Sequence, residues 1–423
     1  MCNTSFYKFS ALSSLLSLFI VSALATASST PPTTEQLDSM FLAGPAAIDS
    51  LGMRTVWQSK LNLQGQELAK DLFVTDGDSI FVDDTGCHLS RVLSSDGRTL
   101  WKNACGRTTD RVRGINRVMN GQLDEILVTL DTAIVGLNAS TGLLAHGHKL
   151  TRLPRTAGVI YGKHLIFGAK GGQIVWQQYP LGFFWLSNEL GGTIEQPPIL
   201  VGTNIAAAST SGQVALLDGE TTHQVWRKTL GGAINWKMGV GADAIYAACE
   251  DHSITALELS NGSIRWRYQT SKPLMSDVFC DDELVYLQVA GDGLVALEAK
   301  PLADDATFSH DGVVKWKCQA AGTPLCRVGS RVLLWDATAR TVTTIETSNG
   351  IVVAVVALPK VAHLAVTGPK DPDMYLLTTQ GILQHCESTV RANASSAATA
   401  AAARSAPKVD SDATPISSDP AVP

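Results

Sequence analysis

The stretch QVALLDGETTHQVW (residues 213–226) returns forty residues later as SITALELSNGSIRW (residues 253–266). Each copy holds a short apolar run that alternates in period two, a polar turn, and a second run ending on Trp. That is the pattern of an antiparallel hairpin whose turn requires a positive φ, supplied by Asn261-Gly262 in the second copy. The Trp follows the turn slot by four residues. Searching outward for this Gly-x-x-x-Trp ending finds Gly97 to Trp101, Gly262 to Trp266 and Gly312 to Trp316. Thr222 to Trp226 has Thr in the glycine slot. Gly142 leads to His146 and Gly350 to Ala354, while Gly182 reaches Trp185 one residue early. The slots therefore fall at 97, 142, 182, 222, 262, 312 and 350. A spacing near forty with four short strands per unit is the mark of a β-propeller.

One unit reads as strands 198–201, 204–209, 213–217 and 224–229, lettered A to D. Seven D strands follow turn slots. An eighth, residues 54–60 with Trp57, precedes them all. The chain's last unit has only three strands, 361–367, 373–379 and 381–386. Pairing the opening strand with those three closes a ring and removes two exposed sheet edges. The expectation is an all-β fold, an eight-bladed β-propeller over residues 52–387, about 42 residues per blade.

The remainder is not propeller. Residues 1–27 read as an export signal, with Lys8, the apolar core 11–24 and Ala25-Thr26-Ala27 as a cleavage pattern. Cys2 is at the wrong end for a lipid anchor, and no other run is long enough to span a bilayer. A periplasmic or extracellular location is expected. Residues 28–51 read as a polar linker leading to an apolar docking segment, 37–51. Residues 388–423, rich in Ala and Ser, cannot bury enough surface to offset their ordering entropy and read as a disordered tail.

The 423 residues carry 33 Lys+Arg against 39 Asp+Glu, a net charge of −6. That balance argues against nucleic acid as a partner. Arg107, Arg111, Arg113 and Arg117 form a local basic run, read as a solvated loop or the mouth of the ring. His146 and His148 lack a third partner for zinc. The acidic pairs Asp83-Asp84, Asp281-Asp282 and Asp304-Asp305 read as loop residues.

The motif Leu-Asp-x-x-[Thr/Asn]-Gly-x-x-x-Trp resembles the PQQ-like (quinoprotein) β-propeller repeat, most clearly from Leu217 to Trp226 and from Leu257 to Trp266. The resemblance implies that Trp57, Trp101, Trp185, Trp226, Trp266 and Trp316 dock between neighbouring blades, with His146 and Ala354 departing from the pattern. It offers two branches, periplasmic PQQ- and Ca²⁺-dependent dehydrogenases and the non-enzymatic BamB-like scaffolds. The chain's length and its lack of adjacent cysteines place it with the second, without a cofactor or metal. The expected function is an exported, monomeric scaffold for protein–protein contact. The alternatives are a dehydrogenase-like protein and a small-ligand sensor using the central funnel.

Two local features remain. Cys87 and Cys105 flank the turn at Asp96-Gly97 symmetrically, so they face each other across strands C and D, where an exported protein permits a disulfide. Cys318 and Cys326 are a second candidate pair. The third blade replaces the usual polar C–D turn by Tyr179, Leu181, Phe183 and Phe184 around Gly182. An apolar hairpin on a rim is either a partner surface or is covered by residues 37–51.

Overall fold

A computed structural model describes residues 40–75, 78–121, 123–281, 283–300 and 311–394. The leader, most of the linker and residues 395–423 lie outside the described residues. The strands form eight four-stranded antiparallel sheets, so the chain is an eight-bladed propeller. Blades 1 to 7 span residues 69–104, 112–149, 154–189, 199–229, 239–269, 279–318 and 323–357. Blade 8 combines strands within 363–388 with Met53–Lys60, which pairs with Ile382–Ser388 in the register Met53 to Ser388 and Lys60 to Ile382. The opening strand closes the ring.

Strands B and C of each blade are almost wholly buried, and strand D is the exposed outer edge, as Gln213–Asp218 and Gln224–Thr229 show in blade 4. Every D strand carries a one-residue bulge against strand C, at positions 56, 100, 145, 185, 225, 265, 315 and 353. A bulge turns the next side chain back toward the neighbouring blade. That side chain is the docking Trp. The indole Nε1 of Trp57 donates to the carbonyl of Ser94 (2.8 Å), Trp101 to Ala139 (2.8 Å), Trp226 to Leu259 (2.8 Å), Trp266 to Ala299 (3.2 Å) and Trp316 to Thr347 (2.7 Å). Each bond crosses to the next blade, so the tryptophans satisfy their own polar atoms while sealing a junction.

Trp185 departs from this role. It occupies the bulge of blade 3 and is exposed, while Leu186 takes the docking slot, opposite Trp176 on strand C. Trp176 is fully buried and donates to the carbonyl of Gly219 in blade 4 (2.9 Å). The large side chain has moved across the strand pair. Ala256 and Ala296 hold the corresponding strand C position opposite Trp266 and Trp316. The swap also accounts for Thr222. In four other blades the turn glycine lies under the preceding blade's docking ring: a Cβ on Gly97, Gly142, Gly262 or Gly350 would meet Trp57, Trp101, Trp226 or Trp316 at 2.4–2.6 Å. Thr222 (φ +63) follows the blade whose slot holds Leu186 rather than Trp.

Helix α1 (Pro45–Ser50) starts with Pro at its first turn and buries Ile48. Ala43, Ile48, Leu51 and Met53 enter the core shared by blades 7 and 8, with Val342, Val356, Met374 and Cys386. This is the junction whose docking slot carries Ala354. Buried Gln384 fixes the approach: its Oε1 accepts from Ala43 N (2.8 Å), and its Nε2 donates to Ala43 O (2.9 Å) and Thr55 Oγ1 (3.0 Å). Residues 388–394, placed in the tail by the sequence reading, belong to the fold. Ser388 ends the last strand, residues 389–394 are helical, and Thr389 N donates to Gly52 O (3.1 Å).

Candidate interaction surface

The blade 3 hairpin joins Gln173–Gln178, buried throughout, to Phe183–Glu189, mostly exposed. Gly182 (φ +70) makes the turn. Leu181 is 67% exposed, and Phe183, Phe184, Trp185 and Leu186 are each 38–44% exposed. Two cationic groups and an imidazole border these rings. The Arg152 guanidinium lies 5.7 Å from the Phe184 centroid, the Lys163 ammonium 5.8 Å from that of Trp185, and His164 stacks on Trp185 at 5.9 Å. Aromatic side chains with basic groups beside them are the composition of a contact surface rather than of a solvated turn.

Tyr179 is a correction to the expected patch. It is buried, donates its hydroxyl to Gly162 O (3.3 Å), and packs with Leu150, Val175 and Phe167. Burial pushes its phenol up, as does the nearby Glu125 carboxylate. Its position, three before the turn slot, is the one whose carbonyl receives the docking Trp in blades 1, 2, 5 and 7. Residues 40–51 do not cover the hairpin, because they are committed to blades 7 and 8.

A second apolar edge escaped the sequence reading. Strand D of blade 7, Val352–Ala357, exposes Val352, Val353 and Val355, and Ile351 precedes it. The signal was present in the unbroken apolar run IVVAVVA. Blades 3 and 7 lie across the ring from one another.

The other expected groups fall into structural roles. Arg107 pairs with Asp110, Arg113 with Asp131, and Arg117 with Asp124 and Asp78. Arg117 lines a cavity of about 300 Å³ in the central channel with Ile115, Val159 and Leu200. An anionic ligand there would compete with two carboxylates already on the guanidinium. The His146 and His148 rings sit 5.0 Å apart, and His146 Nε2 lies 3.1 Å from Glu125 Oε2. Burial, then the charge of His146, lowers the His148 pKa.

Asp83 and Asp84 are not loop residues. They end a buried strand, Ser79–Asp84. Lys102 reaches Asp84 (2.7 Å) and Glu67 (2.9 Å), and Lys70 lies 3.6 Å from Asp83. Asp281 turns the chain by accepting from Glu283 N and Leu284 N. Asp282 and the pair at 304–305 lie outside the described residues. Cys87 and Cys105 do face each other, with Cys105 N donating to Cys87 O (3.0 Å). Both are free thiols, with their sulfurs 3.6 Å apart. Cys318 and Cys326 belong to different cores.

An eight-bladed ring whose outer strands send tryptophans into the next blade defines the class of PQQ-like repeat propellers. The sequence profile described as outer membrane protein assembly factor BamB matches residues 46–176, 162–258 and 210–359, well over half of the chain. The chain belongs to that family. Among solved structures it is similar to BamB from Moraxella catarrhalis, at 17% identity and a TM-score of 0.59 over 79% of this chain and 97% of that one. It is also similar to the computationally designed Ika8 protein, at 12% identity and a TM-score of 0.57 over 76% of this chain and 97% of that one. At such identities both show the fold alone. A search of curated proteins found no significant match.

Proposed function

We propose that this chain is a non-enzymatic exported propeller, a monomeric scaffold for protein–protein contact that uses the outer strand of blade 3 as its contact surface. The carrying observation is the contiguous exposed run Leu181 to Leu186 on an unpaired sheet edge. Exposed strand edges recruit further strands, and basic side chains are a common guard against it. Six of the eight outer strands carry Lys or Arg, including Arg227 and Lys228 in blade 4 and Lys315 and Lys317 in blade 6. The outer strands of blades 3 and 7 carry none. A rigid ring with an unguarded apolar edge is suited to strand addition by a partner. The family's description as an assembly factor agrees with this reading. Among the described residues no helix is long and apolar enough to cross a membrane. The signal-like residues 1–27 support a periplasmic or extracellular location.

The test replaces Phe183 and Phe184 by Ser. Pull-down from the exported fraction should lose a partner that the unaltered protein retains, with Tm nearly unchanged because both side chains lie on the exposed outer strand and outside the buried cores. Retention of the same partners, or a large fall in Tm, refutes the assignment of this surface.

A further inference from the structure

We propose that Cys87, Cys105 and Asp83 of blade 1 form a binding site for a divalent cation of the zinc class, with the two sulfurs acting as metal ligands rather than as a disulfide. This goes beyond the scaffold reading and does not depend on it. One ligand atom from each residue lies within 4.8 Å of the other two, and all three residues are buried. Two sulfurs bound at 2.3 Å to a tetrahedral zinc stand about 3.8 Å apart. The sulfurs here are 3.6 Å apart.

Asp83 supplies the independent observation. Its side chain is wholly shielded from solvent, yet neither carboxylate oxygen has a hydrogen-bond partner. The surroundings are apolar, with Phe81, Leu89, Val112 and Leu130 in the same core. A buried carboxylate in such a place requires a compensating charge. Lys70, at 3.6 Å, provides one positive charge. Two thiolates and the carboxylate carry three negative charges, and a divalent cation together with Lys70 carries three positive ones, so the loaded site is neutral. Loading displaces the two thiol protons to solvent, forms two metal–sulfur bonds and one metal–oxygen bond, and involves no electron transfer. Three protein donors leave one tetrahedral position for a non-protein ligand.

Cys87 has φ +58, in a B–C turn position held by Gly172, Gly212 and Gly381 in blades 3, 4 and 8 and, also at positive φ, by His252 and Arg340 in blades 5 and 7. A side chain in this left-handed region costs energy that glycine avoids. The neighbouring group of Glu67, Asp84 and His88 is not the site, because Lys102 already bridges its two carboxylates.

The experiment uses the full chain, purified with a reductant and freed of metal, and titrated with Cd²⁺ alone. One equivalent should bind, with a thiolate-to-cadmium charge-transfer band in the ultraviolet and protection of Cys87 and Cys105 from alkylation; the other cysteines serve as internal controls. Zn²⁺ should then raise Tm. The C87S/C105S double variant should lose the band. Asp83→Asn, which removes the buried charge without altering shape, should fold at least as well without metal but bind Cd²⁺ at least tenfold more weakly. Tight Cd²⁺ binding by Asp83→Asn overturns the proposal, as does a band that survives C87S/C105S. Peptide mapping that finds Cys87 joined to Cys105 in protein isolated without reductant also overturns it.

Discussion

Gly262→Ala tests the contact that recurs at the blade junctions. The substitution does two separable things. It places a Cβ at φ +70, a left-handed conformation costing roughly 1–2 kcal/mol for an L-residue. It also drives that Cβ to 2.6 Å from two carbons of the Trp226 ring. The ring cannot retreat, because Trp226 is buried and its Nε1 is bonded to Leu259 O. Overpacking of this kind costs about 1–3 kcal/mol. The sum is roughly 2–5 kcal/mol, less about 0.4–1 kcal/mol for the stiffened unfolded chain. Gly202→Ala isolates the first effect, since Gly202 has φ +61 and nothing within 4 Å of the new Cβ; it should cost only about 1 kcal/mol. Equilibrium denaturation of the two variants, compared at a shared slope, reads the difference directly. In a Trp226→Leu background the two costs should converge. Equal losses in the parent protein would show that the docked ring does not exclude a side chain at the turn, and the explanation for Thr222 would fall with it.

Trp176→Leu should destabilise by about 2–3 kcal/mol, as expected for shrinking a buried aromatic, whereas Trp185→Leu should stay within about 0.5 kcal/mol; the opposite ranking in thermal melts would restore Trp185 as the docking residue. Gln384→Ala leaves the amide and carbonyl of Ala43 unpaired in the core, and at about 1–3 kcal/mol for each orphaned group it should loosen α1 and speed proteolytic cleavage near residue 52. Burial lowers the pKa values of His148, His164 and His363, aided at His148 by His146 and at His164 by Lys163, and opposed at His363 by Asp71. The unfolded chain then binds protons more readily than the folded one, so their contribution is complete above about pH 6.5 and declines as the pH falls through and below it. Tm measured at pH 7.5 and 5.5 should drop, and His164→Gln should reduce the drop; a flat profile would refute the sign.

The ring was legible because period-two strands and turn slots repeat along the chain, and because a lone opening strand and a three-stranded closing unit leave one pairing. The misassignment of Trp185 came from following the letter rather than the count. Leu186, not Trp185, stands four residues after Gly182, and Trp176 occupies a strand C position where blades 5 and 6 hold Ala. Tyr179 was taken for surface because its neighbours are exposed, although three residues before a turn slot is an inward position. The destination of α1 was not legible, since an apolar face records a need for cover and not an address; Ala354 was the only hint. Adjacent acids suggested a loop; Lys70 and Lys102, distant in the pattern, face Asp83 and Asp84 inside the strand, and Asp84 also accepts from the amides of Gly86 and His88. The thiol pair was legible from hairpin symmetry. The carboxylate beside it was not.

The bond from Thr389 to Gly52 ties the entry of the first strand to the exit of the last one on blade 8. A leash attached to either end would thus pull on one point of the rim. The ring would swing from that point with the aromatic strand of blade 3 three modules away, clear of whatever holds the leash and free to meet a second body.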